Sequence, residues 1–263
     1  PFVMLENDAK RTYVAQSGLI GLNGPDSSRG GRPLYAVEKT SYTLADAKGV
    51  QDQKGQSEKV LNVPMVFKTP EGVEIIKTFT FTQGQYPIVV KHQVINRSQQ
   101  SWQGQMFGQL KRDNSEDPGK SSQGIFTLGT FLGGAWGTPD AHYNKLKFAN
   151  FSEEKVNTEA KGGWVAIVQH YFVSAWIPGN LKLTQANGQP YVAKLESRQS
   201  ADHMNIIGFT SPVINVPAGT SMEVDAKLYS GPKVQSELKD LAVGLNQTVD
   251  YGWLWPIAKL LFL

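Results

Sequence analysis

His92, His142, His170 and His203 are the four histidines of the sequence, and no two of them stand at a metal-ligand spacing such as HExxH. His92 and His170 lie in runs of Val, Ile, Phe and Trp, which reads as histidine hydrogen-bonded within a sheet. His142 and His203 follow Asp140-Ala141 and Asp202, a setting for solvated turns. A glycosidase needs two carboxylates converging on one face. Glu71, Glu74, Glu153, Glu154 and Glu159 fall instead in loop-like or solvent-facing positions. Gly129 to Gly137 (GTFLGGAWG) is rich in glycine, but Phe131, Leu132 and Trp136 within it suit close sheet packing rather than a phosphate cradle. No GxSxG elbow, P-loop or GxGxxG is present. The chain is expected to be no enzyme and to hold no cofactor and no metal.

Cysteine is absent, which excludes a disulfide scaffold, a thiol nucleophile and thiolate metal sites. A net charge of +3, with Lys and Arg scattered singly, argues against nucleic acid as a partner. Charged residues make up 19%, too few for a solvated disordered chain, and 26 Gly with 14 Pro punctuate a sequence built of short elements. The opening Pro1-Phe2-Val3-Met4-Leu5 reads like the middle of a domain, and the apolar runs fall short of the ~20 residues of a bilayer-crossing helix.

The elements follow a period of two. Val73 to Phe81 and Ile88 to Ile95 are β-branched and aromatic, with Gly84 to Pro87 as the turn between them. Ile88, Val90, His92 and Val94 then share one face. Trp102 to Leu110, Ile125 to Phe131, Trp164 to Ile177, Tyr191 to Leu195, Asn205 to Phe209 and Met222 to Tyr229 continue in this style. The spacing predicts a mostly-β fold, a large antiparallel sandwich. Gly21 to Pro33, Asp46 to Lys59 and Arg112 to Gln123 read as exposed loops or hairpin excursions.

Near the C-terminus the period changes. Val234, Leu238, Leu241, Ala242 and Leu245 fall at helical spacing, which predicts a helix near Lys233 to Val243 packed on the sandwich, with Pro232 in its first turn and Gly244 at its end. The last stretch is different again. Tyr251, Trp253, Leu254, Trp255, Ile257, Leu260, Leu261 and Phe262 join aromatic and apolar side chains in a run too short to span a bilayer, which suits the headgroup level of a membrane surface. The division expected is a sandwich over 1–231, an amphipathic helix and linker over 232–249, and an interfacial segment from 250 to 263.

An ordered set of short stretches carries a family resemblance. Gln16-Ser17-Gly18-Leu19, Gly24-Pro25-Asp26 and Arg32-Pro33-Leu34-Tyr35 are followed by Phe107-Gly108-Gln109-Leu110-Lys111 and Gly163-Trp164-Val165-Ala166. Gln169, Tyr171-Phe172, Ala175-Trp176-Ile177-Pro178, Gly231-Pro232 and Thr248 to Trp255 (TVDYGWLW) complete it. Together they resemble the periplasmic domain of the Gram-negative YidC membrane-protein insertases. The resemblance implies a twisted β-supersandwich, galactose-mutarotase-like, with a short C-terminal helical segment and without evident catalytic acids. It also implies the periplasm as location, within an inner-membrane protein. The partners it implies are the Sec translocon and its accessory subunits, nascent inner-membrane proteins, and the membrane surface through the C-terminal segment. The family's transmembrane insertion groove is not part of this sequence. A docking or chaperone-like role, with extended chains added at sheet edges, is the function expected. A carbohydrate-binding or mutarotase-like protein is the alternative, on fold analogy alone.

Overall fold

The computed structural model describes residues 4–27, 32–51, 55–115, 117, 131–179 and 192–249. Its strands are β1 (Glu6–Asn7), β2 (Thr12–Ile20), β3 (Lys48–Gln51), β4 (Ser57–Lys68), β5 (Val73–Thr82), β6 (Pro87–Asn96), β7 (Trp102–Arg112) and β8 (Gly133–Gly137). They continue as β9 (Asn144–Lys147), β10 (Asn157–Ala160), β11 (Trp164–Val168), β12 (Phe172–Pro178), β13 (Ala193–Gln199), β14 (Asn205–Thr210), β15 (Ile214–Val216) and β16 (Ser221–Pro232). One helix, α1 (Gln235–Leu241), follows. Two antiparallel sheets result. The larger runs β3-β4-β5-β6-β16-β12-β11-β8-β9, and the smaller runs β1-β2-β7-β14-β13-β10 with β15 also on β7. The mostly-β antiparallel sandwich read from the sequence is the fold.

Alternation places the core. In β7 every second residue from Trp102 to Arg112 is buried, and in β6 Val90, His92, Val94 and Asn96 share the buried face. These side chains meet Ile75, Val165, Ile167 and Trp176 from the larger sheet and Leu19, Leu195, Ile207 and Phe209 from the smaller one. A β-carbon on Gly108 would lie 2.5 Å from the Phe209 ring and 2.9 Å from Trp176. The bare backbone there is what lets Trp176 lie against β7 and donate its indole N–H to the Gln109 carbonyl at 3.1 Å.

The long run from Trp164 to Ile177 is two strands, not one. β11 and β12 form a hairpin turning at Gln169 to Tyr171, and both are buried on both faces. Val165, Ile167 and Trp176 face the inter-sheet core, while Trp164, Ala166, Val168, Val173, Ala175 and Ile177 face outward under the C-terminal helix. Strands covered on both sides lose the polar alternation that would mark their ends.

Candidate functional site

The outward face of β11, β12 and β16 positions the C-terminal segment. β16 continues through Pro232, which pairs with Phe172, so this proline ends a strand and does not open the helix as its sequence position suggested. The register explains it. Proline's missing N–H costs nothing at a strand's end, and Lys233 N–H then donates to the Tyr171 carbonyl as the chain leaves the sheet. The helix is therefore shorter than Lys233 to Val243. Leu238 N–H bonds to Val234 at its start, and Ala242 is already extended at its end.

The packing residues read from the sequence come together. Leu238 and Leu245 are fully buried, Leu241, Ala242 and Val249 are partly buried, and all pack on Trp164, Ala166, Val173, Ala175 and Tyr229. Val234 is half-buried at the helix start. Polar bonds fix the same contact. Trp164 donates its indole N–H to the Val243 carbonyl at 2.9 Å, and Thr248 donates its hydroxyl to the Leu245 carbonyl at 2.7 Å. Gly244 turns the chain at φ +80°, where a β-carbon would stand 2.1 Å from the His142 carbonyl oxygen. Residues 245–248 then form one 3-10 turn.

Beside this contact lies a cleft of about 430 Å³, bordered by Trp164, Ile177, Gly179, Asp225, Lys227 and Leu241. Burial holds the Asp225 carboxyl above the usual carboxylate range, with Lys227 and Lys91 pulling the other way. The interfacial residues Tyr251, Trp253, Leu254, Trp255, Ile257, Leu260, Leu261 and Phe262 lie outside the described residues, as does most of Ile125 to Phe131.

The histidines stay apart, and two departures are plain. His170 is exposed in the β11–β12 turn against Tyr171, not within a strand. His92 is buried in β6 as expected, but neither ring nitrogen finds the expected hydrogen bond among the described residues. His142 and His203 are exposed in turns. Glu74 pairs with Arg97 at 2.8 Å, and Glu71, Glu153, Glu154 and Glu159 are exposed. Among the described residues no group of His, Asp and Glu could hold a metal ion.

Two interior polar clusters escaped the sequence reading. Arg112 is fully buried and donates to Asp117 at 2.7 Å. Arg11 stands 3.5 Å from the same carboxylate oxygen, and Gln169 donates to it at 2.7 Å. Arg112 also lies over the Tyr13 and Phe148 rings. In the second cluster Lys77 leaves β5 on its core-facing side, opposite His92, and donates to the Ser17 carbonyl at 2.7 Å. Asp26 accepts from Leu19 N–H at 2.8 Å nearby. Burial lowers the Lys77 ammonium to about 8 and, with the Lys77 charge, lowers His92 to about 3. Parity was the available signal. Lys77 continues Val73 and Ile75, and Arg112 continues Met106 and Leu110, at even spacing on the inward face.

The chain has many relatives. Membrane protein insertase YidC from Pseudomonas putida (strain GB-1) is 44% identical over 262 residues, covering 100% of this chain and 43% of that protein. The protein of the same name from Marinomonas sp. (strain MWYL1) is 43% identical, covering 100% of this chain and 44% of that protein. The present chain thus spans less than half the length of these relatives. Among solved structures, the alpha-galactosidase from Lactobacillus brevis matches with TM-score 0.45 and 9% identity over 88% of this chain and 29% of that one. A galactose mutarotase related enzyme from Lactobacillus acidophilus matches with TM-score 0.39 and 9% identity over 67% and 72%. The family model described as the YidC periplasmic domain matches residues 1–263 from end to end, and the chain belongs to that family.

Proposed function

We propose that this chain is the non-catalytic docking and chaperone-like part of a membrane-protein insertase, held in the periplasm as part of an inner-membrane protein. It works on nascent inner-membrane proteins, alone or beside the Sec translocon and its accessory subunits. The observation that carries this reading is the fixed exit of the chain. Leu238, Leu245 and the Trp164–Val243 bond hold the C-terminal segment against the doubly covered centre of the larger sheet. The sandwich thus holds the chain in place through Val249. It can present its surfaces at a set place near the membrane, and no reacting side chain is required.

Site-specific photocross-linking in the full-length insertase tests the proposal. Probes on the exposed sandwich surface should give adducts with translocon subunits or nascent chains. Leu238→Ala combined with Leu245→Ala should reduce those adducts while the protein stays in the membrane. Unchanged cross-linking in that variant, or no adduct from any sandwich position, would overturn it.

A further inference from the structure

The cleft beside the helix contact holds a carboxylate that the fold leaves unanswered. Asp225 lies on the outer face of β16, and its direct neighbour across β6 is Lys91. The Lys91 ammonium turns away to Glu223, at 3.1 Å. On its other side β16 meets the end of β12, where Gly179 N–H donates to the Asp225 carbonyl at 3.0 Å. A β-carbon on Gly179 would stand 2.8 Å from the Asp225 carboxyl group, so the bare backbone there is what makes room for it. Among the described residues neither a hydrogen bond nor an ion pair reaches this carboxylate.

A carboxylate drawn partly out of water is disfavoured until donors replace that water, and the upward shift of the half-buried Asp225 reports the cost. The rest of the cleft says what such a donor brings with it. Trp164, Ile177, Leu241 and Val243 give apolar walls, and the volume of about 430 Å³ lies within the range of small-ligand sites, about 300–1,000 Å³. Lys227 follows Asp225 on the same face of β16, about 6.7 Å further along the strand. Its ammonium is exposed and makes no ion pair among the described residues. One negative and one positive group therefore stand side by side against apolar walls. A simple amine would be repelled by Lys227, and a lone phosphate by Asp225. An α-amino acid carries its two charges too close together to reach both.

We infer that this cleft binds the phosphoethanolamine head group of a phospholipid, its ammonium on Asp225, its phosphate on Lys227 and its carbons against Trp164, Ile177 and Leu241. Charge complementarity selects the occupant, and no covalent step is involved. A primary ammonium brings three N–H donors, which the quaternary nitrogen of choline lacks. Donors that carry charge make the stronger hydrogen bonds to a carboxylate. Val243, 58% exposed, carries the apolar wall out to the surface, where the glycerol and acyl carbons of a lipid would continue. The lipid as source rests on the membrane-proximal reading above, but recognition of the head group does not.

Calorimetric titration of this chain with soluble O-phosphoethanolamine and with phosphocholine tests the site. Phosphoethanolamine should bind about tenfold more tightly and shift the amide resonances of Gly179 and Lys227. Asp225→Asn should abolish that preference yet leave the thermal midpoint unchanged or slightly higher, because it removes an unpaired, half-buried charge. Lys227→Met should weaken both ligands alike. Equal affinity for the two ligands, or resonances unmoved at saturation, would overturn the assignment. So would an Asp225→Asn variant that binds as before, or one that unfolds at a lower temperature and so marks a structural carboxylate. Vesicles of phosphatidylcholine with and without phosphatidylethanolamine then test the source. Sedimentation that favours the ethanolamine vesicles in this chain and not in Asp225→Asn supports the lipid, and equal sedimentation with both overturns it. Failure here leaves translocon cross-linking of the full-length protein untouched, so the two readings fail separately.

Discussion

His92 brings two ring nitrogens into the space between the sheets, and neither has a hydrogen-bond partner among the described residues. Burial and the Lys77 charge favour the neutral ring, which lowers its pKa to about 3 from 6.5. The unfolded chain therefore binds the extra proton first as pH falls. Stability is fully present above about 6.5 and declines as pH falls from there towards about 3, by an amount on the order of 5 kcal/mol if the whole shift is expressed. His92→Leu keeps the volume and removes the titration. Urea unfolding at several pH values should show a shallower acid loss in this variant and little change at neutral pH. An unchanged acid slope would refute the assignment. Lys77 gives the complementary window. Its folded pKa of about 8 lies below the ordinary 10.5, so the fold gains stability as pH rises between those values. Lys77→Met should flatten that rise, at the cost of an unanswered Ser17 carbonyl.

At the scale of elements, the C-terminal helix depends on its contacts more than on its propensity. Seven residues make a marginal helix alone, and Leu238 is its one fully buried side chain. Leu238→Ala should cost about 2–5 kcal/mol and raise hydrogen exchange over 235–249 ahead of the strands. Gly244→Ala meets both a left-handed backbone and the His142 carbonyl, and should cost about 1–3 kcal/mol. Equal exchange in the helix and in β11 for either variant would show that the segment unfolds with the sandwich rather than before it. The sequence showed these contacts because Leu238, Leu241 and Leu245 keep a helical period over two turns. It misplaced Pro232, since a proline suits a strand's last residue as well as a helix's first. It merged β11 with β12 because cover on both faces removes polar alternation. It passed over β2 and β4, whose Gln16, Ser17, Asn62 and Pro64 dilute the apolar pattern that tertiary pairing supports. The buried Arg112 and the half-buried Lys77 were hidden for a related reason: a charged residue at an inward position gives no hydrophobic signal, and only the parity of its neighbours marks it.

For the whole molecule, the sequence beyond Asp250 sets one further expectation. Trp253, Trp255, Leu260, Leu261 and Phe262 supply apolar and aromatic surface suited to the headgroup region, and a buried Leu or Phe is worth about 1.5–3 kcal/mol. A version ending at Asp250 keeps all the packing described for the helix and the 3-10 turn, through Thr248 and Val249. It should therefore fold like the full chain, and the two can be compared directly by co-sedimentation with liposomes. The full chain should sediment with lipid and the shortened one should remain largely in solution. Added salt should leave the difference in place, because the contact is mainly apolar and the chain's net charge is only +3. Equal sedimentation of the two would place the lipid affinity on the sandwich, where Leu34 and Leu44 are 91% and 55% exposed, and would refute the interfacial assignment of residues 251–263.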